Sequence, residues 1–238
     1  MSARPVAAVV RPGVRPQCYD ERVAHASPAR PSFDELYRQI AALPTGITGE
    51  VLERGVLRTM SRPGRPHRVA ALRALRGLDD FNGDLGGSGW WIEVEAEVRL
   101  LDDYLAVPDL ACWRVERVPE MPDENPLTIA PDWVCEVLSP TTARDDRRLK
   151  LPLYARAGIE WIWLIDAESA QVEIYETVRR RATFAFATAQ TAALPPFERD
   201  FDVAAWFATP NAPAAPSEPK PTEAAGPARA KRSKPRRA

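Results

Sequence analysis

Apolar and polar positions recur with helical period in three long stretches of the chain and with strand period in several others. The first helical stretch is SFDELYRQIAAL, residues 32–43, where Phe33, Leu36, Tyr37 and Ile40 mark one face. Ser32 stands as N-cap with Glu35 three positions on, the spacing of a capping box. Pro44 ends the run. The second, HRVAALRALRGLDDF (67–81), sets Val69, Leu72, Leu75 and Leu78 at helical spacing. The third, TTARDDRRLKLPLYARAG (141–158), places Asp146, Lys150 and Tyr154 at i, i+4 and i+8 and closes on Gly158, a residue suited to a left-handed C-cap. Pro152 lies inside it and has no backbone N–H to donate, so a kink is expected, or a helix start near Leu151.

GEVLERGVLRTM (49–60) alternates loosely and predicts a strand pair or one bent strand, followed by a turn over SRPGRP (61–66) and a second turn over GDLGGSG (83–89). WWIEVEAEVRLL (90–101) predicts one strand whose alternation sets Glu93, Glu95 and Glu97 on a shared polar face. LAVPDLACWRVERV (105–118) and PDWVCEVLS (131–139) predict two more. IEWIWLIDA (159–167) is apolar at nearly every position, as in a strand buried on both faces. QVEIYETV (171–178) reads as its hairpin partner, TFAFATA as a further strand, and FDVAAWF (201–207) closes the domain. No internal repeat is present. The order of elements predicts an α/β fold, a mixed β-sheet flanked by helices with one helix crossing between two buried strands.

The two ends lack any such period. Residues 1–31 are rich in Pro, Arg and Ala, and residues 209–238 in Pro and Ala, so both are expected to be disordered arms around a single domain at 32–208. The arms carry net charges of +3 and +5, which leaves −9 on the domain although the whole chain sums to −1. An acidic domain has no electrostatic footprint for nucleic acid of its own. The tail has one: six of its last ten residues are basic, and contact with nucleic acid is expected there. Three cysteines, Cys18, Cys112 and Cys135, form no CxxC pair, which points to reduced thiols and the cytoplasm. No apolar run approaches the roughly 18 residues of a membrane span, and the N-terminus lacks the features of a signal peptide.

Candidate chemistry gathers at strand ends. Asp109 follows Pro108 at the start of an apolar run, Glu136 stands in the WVCEVL strand 27 residues later, and Lys150 lies 14 beyond it. A carboxylate on a core strand is costly unless something pairs with it. Two carboxylates on adjacent strands with one lysine suffice for metal-assisted phosphodiester hydrolysis. Mg²⁺ or Mn²⁺ takes one or two protein carboxylates and completes its shell with water and phosphate. Asp132, Asp146, Glu95 and Glu97 are further candidates. The tryptophans Trp90, Trp91, Trp161 and Trp163 read as core or dimer surface.

These stretches resemble the Uma2 family of restriction-endonuclease-like proteins, whose members have the PD-(D/E)xK nuclease fold. The resemblance spans residues 33–207. It is carried by GEVLERGVL followed by RPGRPH, then GWWIEVEAEV, VPDLACWRVERVP, APDWVCEVLSPTTARDDRRLK and YARAGIEWIWLID. It implies a Mg²⁺- or Mn²⁺-dependent endonuclease acting on DNA, with a homodimer as a further expectation. By position, Asp109 and Glu136 take the metal carboxylates, Lys150 the lysine that positions water, and Glu50 a second metal or a metal-bound water. His67 matches the histidine after the RP turn. The chain departs from the wider superfamily at position 138, where the (D/E)xK lysine is replaced by Leu138. The role then depends on Lys150 reaching back over the strand. The competing expectation is a catalytically silent, dimeric nuclease-fold module that binds nucleic acid or protein. Asp132, from the second PD, is the alternative to Asp109 as the PD acid. Asp109 is preferred because a separate strand can bring it opposite Glu136.

Overall fold

The computed structural model describes residues 30–61, 63–186, 191–197 and 199–208. Most of the arm at 1–31 and all of the tail at 209–238 lie outside the described residues. Among the described residues, no helix is long and apolar enough to cross a membrane.

Helix α1 (Phe33–Ala41) begins at the capping box expected of Ser32 and Glu35, with Phe33, Leu36 and Ile40 buried. It lies against β1 (Ile47–Glu53), where Gly49 permits the approach: a Cβ there would stand 2.5 Å from Ile40 Cγ1. β1 forms a hairpin with β2 (Val56–Ser61) through Arg54-Gly55. Helix α2 (Arg65–Gly77) follows, and its buried residues are Ala70 and Ala74, with Leu78 at its C-cap. The predicted stripe is therefore displaced, and Leu72 is 47% exposed. Small side chains let the helix sit close to the sheet, so the larger ones flank the contact instead of filling it.

The two strands predicted over 90–101 and 105–118 form one long hairpin that is broken at its middle. Its base pairs β3 (Trp90–Val94) with β6 (Leu110–Arg114), and its tip pairs β4 (Val98–Leu100) with β5 (Tyr104–Ala106). On one side of the break Glu95 takes a left-handed backbone, φ 52°. On the other stands Val107-Pro108-Asp109, and Glu95 N donates to Asp109 O across the gap. Pro108 has no N–H for a ladder, which favours the interruption here. The tip joins β1 and β2 in a four-stranded sheet, order β2-β1-β5-β4. The base joins β7 (Trp133–Leu138), β8 (Trp161–Asp166), β9 (Gln171–Glu176) and β10 (Arg181–Phe186) in a six-stranded sheet, order β10-β9-β8-β7-β6-β3. β7 and β8 are parallel and the other pairs antiparallel, so the sheet is mixed as predicted. A two-stranded ribbon, β11 (Ala192–Ala193) with β12 (Asp200–Phe201), precedes the last helix.

The crossover between β7 and β8 is the helical stretch predicted at 141–158, with three parts. A turn of α3 (Ala143–Asp145) runs into a π-helical segment, Asp146–Lys150, and then α4 (Leu151–Arg156). Leu151 N donates to Asp146 O, five residues back. Pro152 sits just inside α4, where a missing N–H is tolerated because the widened turn has already shifted the ladder. Gly158, φ 82°, ends the helix. One face of the large sheet packs under α2 and α5 (Val203–Phe207) around Trp133, Trp163, Phe197, Phe201 and Trp206. The other packs under the crossover helix around Trp113, Val134, Leu153, Tyr154 and Leu164.

Candidate active site

Every residue of β7 is buried. Trp133, Cys135 and Val137 join one core, while Val134 and Leu138 join the other. The period of two thus aims Glu136 at the crossover helix. Two groups meet it there. Lys150 Nζ stands 3.1 Å from each carboxylate oxygen, and the Tyr154 hydroxyl donates to Oε1. The lysine and tyrosine are four apart on the helix predicted to present them together.

Lys150 also reaches the small sheet. Its Nζ lies 2.9 Å from Glu50 Oε1, 3.9 Å from Asp146 Oδ1 and 3.5 Å from the Val107 carbonyl. Glu50 is completely buried; its Oε1 also accepts from Val107 N at 2.8 Å, and its Oε2 has no hydrogen-bond partner. The broken hairpin makes this possible: Val107 leaves the ladder and offers both backbone groups to the site. Asp109, two residues on, accepts from Val137 N at 2.7 Å and lies 3.2 Å from His67 Nε2. His67 is in the first turn of α2.

The site is therefore the seam where the two sheets part. A cleft of about 490 Å³ opens above it, lined by Glu50, His67, Asp109, Glu136, Asp146 and Lys150 together with Glu95 and the β2 and α3 walls. Burial pushes the Glu136 carboxyl well above its ordinary pKa, against the pull of Lys150 and with that of the neighbouring acids. Burial likewise raises Asp146 to about 6. Burial alone would lower the Lys150 ammonium, but Glu136, Glu50 and Asp146 outweigh it and hold the charge firmly. His67 shows the same contest: burial lowers it, and Asp109 raises it further.

Two of the sequence candidates lie elsewhere. Asp132 opens β7 at its far end, roughly 13 Å from Glu136 along the strand. It accepts from Arg117 Nε at 2.8 Å and Arg114 N at 2.8 Å, a structural clasp. Glu97 is beyond the hairpin break and accepts from the Tyr37 hydroxyl at 2.6 Å. The expected shared face of Glu93, Glu95 and Glu97 does not form, because the strand ends at Val94. The cleft also contains groups that periodicity did not single out: Arg58 and Thr59 of β2, and Ser139, Thr141, Thr142 and Asp145 after β7.

A family model described as "Putative restriction endonuclease", Uma2, matches residues 33–205. The chain belongs to the Uma2 family. A crystal structure of a "putative nuclease belonging to DUF820" from Anabaena variabilis ATCC 29413 is similar, with a TM-score of 0.62 at 21% identity, over 75% of this chain and 99% of that one. At that identity the likeness speaks for the fold. No curated protein matches the chain. Within the Uma2 match fall all of the cleft residues named above, from Glu50 to Lys150.

Proposed function

We propose that this Uma2 chain is a divalent-cation-dependent nuclease that hydrolyses DNA phosphodiester bonds. The observation that carries the reading is the charge balance of the cleft floor. Glu50, Glu136 and Asp146 share the single ammonium of Lys150, which leaves an excess of two negative charges when all three are ionised. Burying carboxylates in excess of their cation is costly, and such clusters gather at functional sites.

Mg²⁺ or Mn²⁺ fits that deficit in charge and in donor type. The Glu50 Oε2 atom is buried and unpartnered, and hard cations select carboxylate oxygens. Among the described residues, no three His, Cys, Asp or Glu side chains form a ready-made cage. A cation that keeps most of its ligands as water and substrate phosphate does not need one. Asp109 and Glu136 would hold it, with Glu50 behind them. When bound, it would supply Lewis-acid polarisation of the phosphoryl oxygens and lower the pKa of a coordinated water.

The chain's own groups divide the remaining work. Lys150, fixed in its protonated form, holds the attacking water in line and opposes the negative charge that develops on phosphorus. Tyr154 and Lys150 together fix the Glu136 carboxylate, and Val137 N and His67 fix that of Asp109. Leu138 occupies the usual lysine position, and the crossover helix supplies the ammonium from above instead. The basic tail, outside the described residues, would add the phosphate attraction that the acidic domain lacks. Cys112 and Cys135 are buried free thiols, in keeping with a reducing cytoplasm.

The test is nicking of supercoiled plasmid with Mg²⁺ or Mn²⁺, wild type beside Glu136→Gln. Cation-dependent nicking that the isosteric variant loses supports the reading. Equal cleavage by both, or none by the wild type, sinks it.

A further inference from the structure

Arg58 stands over the site from β2. It is the cross-strand partner of Glu50 in the β1–β2 hairpin, so the two side chains lie on the same face of the sheet. Its guanidinium is about one-third exposed and lines the cleft. Nη1 lies 2.9 Å from Asp145 Oδ2 on the opposite wall, and Nη2 lies 2.6 Å from Glu53 Oε2. Nε is buried with no hydrogen-bond partner. The Arg58–Asp145 pair thus spans the cleft between the hairpin and the crossover helix.

A phosphodiester approaching this cleft meets mostly carboxylates. Among the described residues lining it, Lys150 is anchored on the cleft floor by Glu50 and Glu136, and His67 is paired with Asp109. Arg58 is the remaining cation, and its planar fork suits a phosphate better than a point charge does. Asp145 therefore occupies, on the guanidinium, the place a phosphate oxyanion would take. Exchange of one anion for another needs no new cation and no movement of the sheet.

Building on the nuclease reading, we propose that Arg58 is a substrate-binding residue that anchors a DNA phosphate in the cleft, and that Asp145 is the carboxylate which that phosphate displaces. The proposal separates from a merely structural role by sign. If the Arg58–Asp145 pair only ties the hairpin to the helix, removing either partner has the same effect. If Asp145 competes with phosphate, the two substitutions act in opposite directions.

The experiment is fluorescence anisotropy of a fluorescein-labelled DNA duplex, in Ca²⁺ with the strands checked intact, for wild type, Arg58→Ala, Arg58→Lys and Asp145→Asn across a salt series. Arg58→Ala should raise Kd about ten-fold or more and reduce the slope of log K against log salt by about 0.9. Arg58→Lys should keep the slope while losing part of the affinity. Asp145→Asn should tighten binding. In plasmid nicking, Arg58→Ala should raise KM far more than it lowers kcat. Should Arg58→Ala fail to fold, Asp145→Asn decides alone. Unchanged affinity and slope in Arg58→Ala, or unchanged or weaker binding in Asp145→Asn, overturns the assignment even when the wild type nicks DNA. A wild type that neither binds nor nicks DNA overturns the nuclease reading and this assignment with it.

Discussion

Lys150 Nζ lies 2.9 Å from Glu50 Oε1, although the two residues are a hundred positions apart and belong to different layers of the fold. The contact joins the crossover helix of the large sheet to β1, an inner strand of the small one. It holds the seam closed beneath the cleft. Removing the ammonium leaves Glu50 and Glu136 as buried carboxylates without a cation, a change that costs about 3–5 kcal/mol in comparable buried pairs. Lys150→Met should show a loss of that size in urea unfolding in EDTA, and added Mg²⁺ should recover part of it. Wild-type stability in the variant would mean that the ammonium does not hold these acids in place.

Tyr154 contributes through its hydroxyl, which donates to Glu136 while the ring stays in the core. Tyr154→Phe leaves no cavity, so the expected loss is that of one hydrogen bond to a charged acceptor, about 1.5–3 kcal/mol. Urea unfolding reads it directly. Cation affinity should fall as well, because Glu136 loses one of the two groups that orient it.

Asp146 governs a pH dependence. Burial raises its pKa from 3.8 to about 6 in the folded chain. Below the unfolded value both states are protonated and nothing is lost. As pH rises through the folded value the unfolded state ionises first, so stability falls, and by neutrality the deficit is roughly 3 kcal/mol. In EDTA, Asp146→Asn should therefore be more stable than wild type above the folded pKa. The two should converge as pH falls toward the unfolded value. A gap independent of pH would contradict this.

Asp132 provides the control. Its contacts are with Arg114 and Arg117, at the end of β7 away from the cleft. Asp132→Asn should cost about 1–3 kcal/mol of stability and keep in full the rise in melting temperature that Mg²⁺ should give the wild type. Loss of that rise would return Asp132 to the site.

The fold was largely legible because period-two and period-3.6 patterns set the elements. The burial of β8 and the capping box of α1 follow from single short stretches. Asp109, Glu136 and Lys150 could be singled out because charges beside or within apolar runs demand partners. What stayed hidden depends on irregular backbone. Arg58 faces Glu50 only because a register shift lies between Glu50 and Glu53; an unbroken ladder out from Glu53 and Val56 would set Thr59 there instead. The hairpin break at Glu95 and Pro108 separates Glu97 from the site and brings Val107 into it; Pro108 marks one side of it, yet alternation runs through Glu95 without a mark. The π-helical segment that carries Lys150 also lacks a periodic sign. Such departures are set by tertiary packing, which no local pattern encodes.

On the proposed reading, the buried acids around Lys150 form a site for a divalent cation. Calorimetric titration of Mn²⁺ into the apo protein, wild type beside Glu136→Gln, tests it most directly. A saturable heat is expected in the wild type, and Glu136→Gln should abolish it or weaken binding at least about ten-fold while the fold is retained. Identical isotherms for the two proteins, or no binding to the wild type, would contradict it.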